Sequence, residues 1–218
     1  MKHKVSKVLF VGSKRLGLRI LKQMHLLSPN TLLGAVTIDD RGDSRSVYDD
    51  FQRFSSDNRI ALYTVSGRKD AERQIVDLKP DICIVSGWYW LISKSVLDAI
   101  PLGFIGVHPS LLPRYRGSAP VVWAIINDEK QTGFSLFSFS EGMDDGDIWI
   151  QRTIPISSTD HIGDVLNKIE MAVETTISEN YLAILDGRLT PTKQSESPLS
   201  YCAARSPQDG EICWKQPA

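Results

Sequence analysis

Phe104-Ile105-Gly106-Val107-His108-Pro109-Ser110-Leu111-Leu112-Pro113-Arg114-Tyr115-Arg116-Gly117 is the stretch that decides the fold. Its first part belongs to a strand read over 103–107, with His108 at its end. Its second part cannot extend that strand. Pro109 and Pro113 fix φ and remove backbone donors, so a stiff, shaped loop must follow. His108 therefore sits at the carboxyl end of a buried strand, where open α/β sheets bind their ligands. An imidazole, with a reference pKa of about 6.5, can take a proton from an amine nucleophile. The simpler alternative is a histidine satisfied by backbone at a strand end.

The rest of the chain agrees with such a sheet. Upstream, 7–12 and 32–38 read as buried strands and 61–65 as a short one, with an amphipathic helix over 16–27 and a polar loop plus irregular helix over 41–59. A helix over 69–79 closes at Pro80, and 81–87 is another apolar strand. A short helix over 93–100 has Ser93 as its expected N-cap. Downstream come a helix over 120–127, an alternating and so half-buried strand over 133–139, and a strand over 148–154. A long amphipathic helix is expected over 160–185, capped at Asp160 and ended at Asp186-Gly187. Alternating strands and helices predict an α/β fold, a mostly parallel sheet flanked by helices. The division expected is a domain over 1–187 and an extended C-terminal tail or linker over 188–218, rich in Ser, Pro, Gln and Thr.

Bulk properties narrow the function. With 218 residues the chain can bury a core without staples. A net charge of −1 gives no general attraction to nucleic acid or anionic membranes, so neither partner is expected. There is no apolar run of about 20 residues, and the run after the basic start Met1-Lys2-His3-Lys4 is too short for a signal peptide. Cys83, Cys202 and Cys213 form no metal-spaced pair. The expectations are a cytoplasmic protein without a metal.

Three other segments carry candidate chemistry. Gly12-Ser13-Lys14-Arg15-Leu16-Gly17 is a glycine turn between strand and helix that can present amides to a phosphate. It lacks the three spaced glycines of a dinucleotide fingerprint and the Gly-Lys-Ser/Thr ending of a P-loop. Gly87-Trp88-Tyr89-Trp90-Leu91-Ile92 is an aromatic cluster at a strand end, either core packing or a flat wall for a planar heterocycle. Glu141-Gly142-Met143-Asp144-Asp145-Gly146-Asp147 is an acidic turn whose spacing does not fit an EF-hand. A carboxylate from it beside His108 would orient the ring. Spacing does not choose among Glu141, Asp144, Asp145 and Asp147.

The His-Pro-Ser-Leu-Leu-Pro-x-Tyr-x-Gly run at 108–117, with Gly-Met-Asp-Asp-Gly-Asp-Ile at 142–148, resembles the folate-dependent formyltransferases. Pro80-Asp81-Ile82 and Gly87-Trp88 extend the similarity, which covers 7–187 more loosely. The resemblance implies a Rossmann-like formyltransferase fold and N10-formyltetrahydrofolate as formyl donor. It makes His108 and Asp144 the catalytic pair and Leu112-Pro113 a cis bond. It assigns Ser86, Gly87, Trp88, Tyr89, Trp90, Leu91 and Ile92, with Phe139, Ser140, Glu141, Gly142, Met143 and Asp144, to the folate walls. It also exposes a departure: the family has an asparagine where this chain has Gly106. In the family an amine attacks the formyl carbon, and that asparagine and a protonated histidine stabilise the oxyanion. Loss of one such donor costs about 10²–10³ in rate. A water, a backbone amide, Ser110 or Ser135 is then needed in its place, or the protein is slow or does something else.

Trp88-Tyr89-Trp90, the run 116–120 and the ending Ser200-Tyr201-Cys202-Ala203-Ala204-Arg205, with Asp209, Gly210, Ile212 and Trp214, look most like the sugar N-formyltransferases of surface-polysaccharide pathways and the methionyl-tRNA enzyme. Because the charge is near neutral, the expected acceptor is a nucleotide-linked amino sugar. Gly12, Ser13, Lys14, Ser110, Arg114, Arg116 and Gly117 are its expected contacts. The alternatives are a methionyl-tRNA or glycinamide ribonucleotide formyltransferase, or a catalytically impaired folate- or nucleotide-binding homologue. A homodimer through an exposed apolar face of helix 160–185 is a further expectation.

Overall fold

A computed structural model describes residues 5–196 and 198–211. Met1 to Lys4, and Ile212, Cys213 and Trp214 of the terminal motif, lie outside the described residues. The elements in order are β1 (Val8–Gly12), α1 (Lys14–Leu27), β2 (Leu32–Ile38), α2 (Tyr48–Asp57), β3 (Leu62–Val65), α3 (Arg68–Leu78), β4 (Ile82–Ser86) and α4 (Lys94–Ala99). Then follow β5 (Phe104–His108), β6 (Arg116–Gly117), α5 (Pro120–Ile126), β7 (Gln131–Ser138), β8 (Ile148–Pro155), α6 (Ile162–Leu185) and β9 (Tyr201–Cys202).

The main sheet has seven strands in the order β3-β2-β1-β4-β5-β7-β8. The first five are parallel, and β7 and β8 close one side antiparallel, giving the mostly parallel Rossmann-like sheet. The chain leaves β1 for one edge and returns at β4, so the topological switch falls between them, and a crevice opens at their carboxyl ends. Gly12 is needed there: a Cβ on it would stand 2.0 Å from the Ser86 carbonyl.

Alternation along β1 builds two cores. Val8 and Phe10 join a cluster with Ile20, Leu21 and Met24 of α1 and Val165, Ile169, Val173 and Ile177 of α6. Leu9 and Val11 join Ala71, Ile75, Val96 and Ile100 on the other face. The buried residues of α6 recur every three or four positions, one stripe of a helix. Leu166, Met171 and Leu182 of α6 remain exposed.

Several local expectations need correcting. Asp160 does not cap α6. His161 is the N-cap and forms a reciprocal box with Asp164, while Asp160 holds Lys168 Nζ at 2.5 Å. Ser93 makes no side-chain cap; its amide donates to Glu72 at 2.8 Å. β7 is not half-buried: Thr132 to Phe137 are buried, because the strand lies between β5 and β8, with Phe134 and Leu136 in the core shared with α6 and Gly133 and Ser135 against the loop that follows β5. Polar residues hid this, and Ser135 can be fully buried only because its hydroxyl is satisfied, as described below.

Residues 191–202 run back across the carboxyl end of the sheet. Thr192 bridges Ile148, and β9 pairs with β6 in a small parallel sheet of its own. Among the described residues no helix is long and apolar enough to cross a membrane.

Candidate active site

The 109–117 loop is built from its own polar atoms. Ser110 Oγ donates to the Arg114 carbonyl at 2.7 Å. Ser135 Oγ, buried on β7, donates to the Ser110 carbonyl at 2.8 Å and accepts from the Leu112 amide at 3.2 Å and Gln151 Nε2 at 2.8 Å. Leu112-Pro113 is cis. The loop thus follows directly on His108, whose side chain is only 8% exposed.

His108 Nε2 lies 2.8 Å from the Tyr115 carbonyl, which can only accept, so this nitrogen carries a hydrogen. Nδ1 faces Asp144 Oδ2 at 3.5 Å. Of the four acids in the turn, Asp144 is the one at the imidazole. Glu141 pairs with Lys94, and Asp145 takes the Ser140 hydroxyl. Asp144 Oδ2 also accepts the Gly117 amide at 2.8 Å. One carboxylate oxygen therefore ties both loops to the ring.

Gly106 is not an open gap. A Cβ there would stand 2.1 Å from Phe139 Cε1 and 2.9 Å from Cζ. In the antiparallel register Gly106 opposes Phe137, and Phe139 follows one pleat further on the same face. The Phe139 ring stacks on Phe104 at 6.2 Å and tilts against Phe137 at 5.4 Å, and Phe137 meets His108 edge-on at 6.3 Å. An aromatic column occupies the space of the missing side chain. A period-two count from His108 would have put Phe137 and Phe139 on its face.

Beside this column lies a cleft of about 500 Å³. Its walls are the two segments expected around a planar ring, 88–92 and 139–144, joined by Phe137, Arg68, Ser93 and Lys94. Trp88 and Trp90 meet edge to face at 5.2 Å, and the Trp88 Nε1 is buried with no partner among the described residues. Ser86 and Gly87 are not in the wall. Their carbonyls take the Ser13 amide at 3.1 Å and the Ser13 hydroxyl at 2.7 Å, closing the corner between β1 and β4.

The expected acceptor contacts differ in what they are already bound to. Lys14 Nζ is held by Asp40 at 2.6 Å and Asp43 at 2.8 Å. Burial works against that ammonium, but the two carboxylates outweigh it and hold its pKa well above the ordinary value. Asp40 and Asp43 are also bonded by Tyr89 Oη, which links this cluster to the cleft wall. Arg114 pairs with Glu129. Arg116 instead donates to a neutral group, Gln194 Oε1, at 2.7 and 3.2 Å, and among the described residues it has no carboxylate partner. The Ser13 and Ser110 hydroxyls are both buried and spent on carbonyls. Among the described residues no group of three His, Cys, Asp or Glu could hold a metal.

Tyr115, whose carbonyl meets His108, and Gln194 and Ser200, which brace the loops from the far end of the chain, carry site roles that the sequence did not assign. Nothing in a run of Ser, Pro, Gln and Thr marks which residue docks.

The chain has known relatives. The Formyl transferase profile matches residues 39–180. The methionyl-tRNA formyltransferase of Lysinibacillus sphaericus (strain C3-41) is 38% identical over 67% of this chain, and the match spans only 47% of that protein's length. That of Geobacillus sp. (strain WCH70) is 30% identical over 97% of this chain and 68% of its own length. The solved N-formyltransferase from Helicobacter canadensis, in complex with folinic acid and dTDP-3-aminofucose, superimposes with a TM-score of 0.74 at 21% identity, over 96% of this chain and 76% of that one. The chain belongs to the formyl transferase family.

Proposed function

We propose that this protein transfers the formyl group of N10-formyltetrahydrofolate to the amine of a nucleotide-linked amino sugar. The observation that carries this reading is the His108–Asp144 pair at the edge of an aromatic cleft. The cleft fits a pterin: it is of suitable size, it offers flat apolar walls, and Trp88, whose buried Nε1 has no partner among the described residues, is one of its lining residues. The donor supplies an electrophilic formyl carbon.

Under this reading His108 accepts the proton that the acceptor amine loses as the C–N bond forms. Asp144 fixes the ring and balances its positive charge. Both ring nitrogens are engaged, so one contact must open for the amine to approach. The Tyr115 carbonyl, on a loop, is the one that gives way; the ring hydrogen then stands on Nδ1, toward Asp144, and Nε2 with its lone pair free takes the amine proton. Ser110 and Ser135 do not replace the family asparagine, because their hydroxyls already serve buried carbonyls. Phe139 takes the corner where the asparagine carboxamide would stand, so on this reading transfer is slower than in a relative with the asparagine by about 10²–10³.

Arg116 supports a phosphate-bearing acceptor. It is a cation beside the Gly117 amide, held by neutral partners that an anion can displace. A net charge of −1, and Lys14 and Arg114 already paired with carboxylates, argue against a polyanionic acceptor such as tRNA. The methionyl-tRNA formyltransferase relatives favour that second reading, so both are tested together. The protein is incubated with N10-formyltetrahydrofolate and either dTDP-amino sugars, with the amine at C3 or C4, or methionyl initiator tRNA. Mass spectrometry of a formylated sugar supports the proposal. Formylation of the tRNA alone transfers it to the second reading. Folate binding without any product makes the chain an impaired homologue.

A further inference from the structure

Gln194 lies in an extended segment of mostly exposed residues, yet its own side chain is half-buried. Its Nε2 donates to two carbonyls of the acidic turn, Asp144 at 2.8 Å and Gly146 at 2.7 Å. Its Oε1 accepts the Arg116 guanidinium at 2.7 Å. One carboxamide thus joins the turn that carries Asp144 to the loop that carries Tyr115 and Gly117. We propose that Gln194 is a positioning residue for the His108–Asp144 pair, a role that rests on the reading of that pair given above.

The need for such a brace is visible in the backbone. Asp144 and Tyr115 both have φ in the left-handed region, 51° and 59°. Non-glycine residues there persist only when their surroundings impose it. Asp144 is held through its carbonyl by Gln194, and Tyr115 through its amide by Ser200 Oγ at 2.9 Å. Each is the residue that contacts the imidazole, Asp144 at Nδ1 and Tyr115 at Nε2. Only a neutral amide suits position 194: it must donate twice to carbonyls and accept from a guanidinium at once. A glutamate keeps the bond to Arg116 but cannot donate, and a lysine cannot accept.

The test compares the full-length protein with Gln194→Ala, Gln194→Glu and Thr192→Ala. Thr192 lies on the same segment, and among the described residues its side chain hydrogen-bonds only the Ile148 carbonyl, at 3.4 Å. Three readouts are taken: NMR resonances of the His108 ring, exchange of the Gly117 amide, and kcat and KM with N10-formyltetrahydrofolate and dTDP-4-amino-4,6-dideoxyglucose. In Gln194→Ala the ring resonances move and Gly117 exchanges faster. The kcat falls by about 10–100-fold, the scale for losing an outer support of a functional group, at an unchanged donor KM. Gln194→Glu behaves like Gln194→Ala, and Thr192→Ala like the wild type. Wild-type ring resonances and exchange in Gln194→Ala overturn the proposal. So does full recovery in Gln194→Glu, or collapse of the thermal melt in Gln194→Ala, which makes the residue merely structural. If the wild type transfers nothing to this sugar, the acceptor reading fails while resonances and exchange still decide the role of Gln194.

Discussion

Restoring the family asparagine by Gly106→Asn alone should harm the protein rather than repair it. The new Cβ would sit 2.1 Å from the Phe139 ring, well inside van der Waals contact. The ring has little room to retreat, since it stacks on Phe104, itself 1% exposed, and leans on Phe137. Overpacking of this kind costs about 1–3 kcal/mol. For a domain of this length each kcal/mol lowers Tm by about 2–4 °C, so the melt should fall by about 2–12 °C. Gly106→Ala isolates the clash, having the Cβ and no carboxamide, and should show a similar loss. Phe139→Ala on its own loses ring contacts, but it makes room. The double variant Gly106→Asn/Phe139→Ala should therefore be more stable than the sum of the singles by about 1 kcal/mol or more, and it alone should gain rate, toward the ~10²–10³ that one oxyanion donor is worth. Urea or thermal melts of the wild type and all four variants, with formyl-transfer rates beside them, measure the coupling. A Gly106→Ala or Gly106→Asn protein as stable as the wild type, with an additive double variant, would refute the claim that Phe139 fills the site.

The remaining predictions concern the pair, its loop and one ionic cluster. His108→Ala and Asp144→Ala should each lower formyl transfer by about 10²–10⁴ with folate binding retained, as read by single-turnover assays and ligand titration. Ser135→Ala strands the Leu112 amide and Ser110 carbonyl in a buried setting, and chemical denaturation should register a loss of about 1–3 kcal/mol. Asp43 is held well below the usual carboxylate range, first by Arg45 and then by Lys14. Its contribution is thus full above its unfolded pKa of about 3.9 and is lost as pH falls through the lower folded value. The stability difference between the wild type and Lys14→Met should stay constant from neutral pH down to about 5 and shrink only below about 4; a change centred near neutrality would contradict this assignment.

The sheet was legible because its strands are continuous apolar runs and its helices have one buried stripe, as in Asp81-Ile82-Cys83-Ile84-Val85 and the 165–185 stretch. His108 was legible because prolines mark the loop that follows it. The polar atoms that finish the site were not. Ser135, at a position that reads as solvent-facing, is fully buried because two loop groups and the Gln151 side chain of β8 use its hydroxyl. Phe139 could be counted onto the face of His108, but only packing reveals that it takes the volume left by Gly106. Lys14 and Arg114 look like phosphate ligands in a linear reading, and spatial partners distant in sequence have claimed their charge.

The strap that reaches back to Asp144 comes 50 residues after it in the chain. At ordinary synthesis rates, this separation means a lag of seconds. All strands of the main sheet are already translated before Gln194 and Ser200 exist to lock the two loops. The nascent protein can therefore gain its core before it gains a competent catalytic corner. A protease that clips the exposed stretch near Lys193 would return it to that earlier condition, folded and inactive.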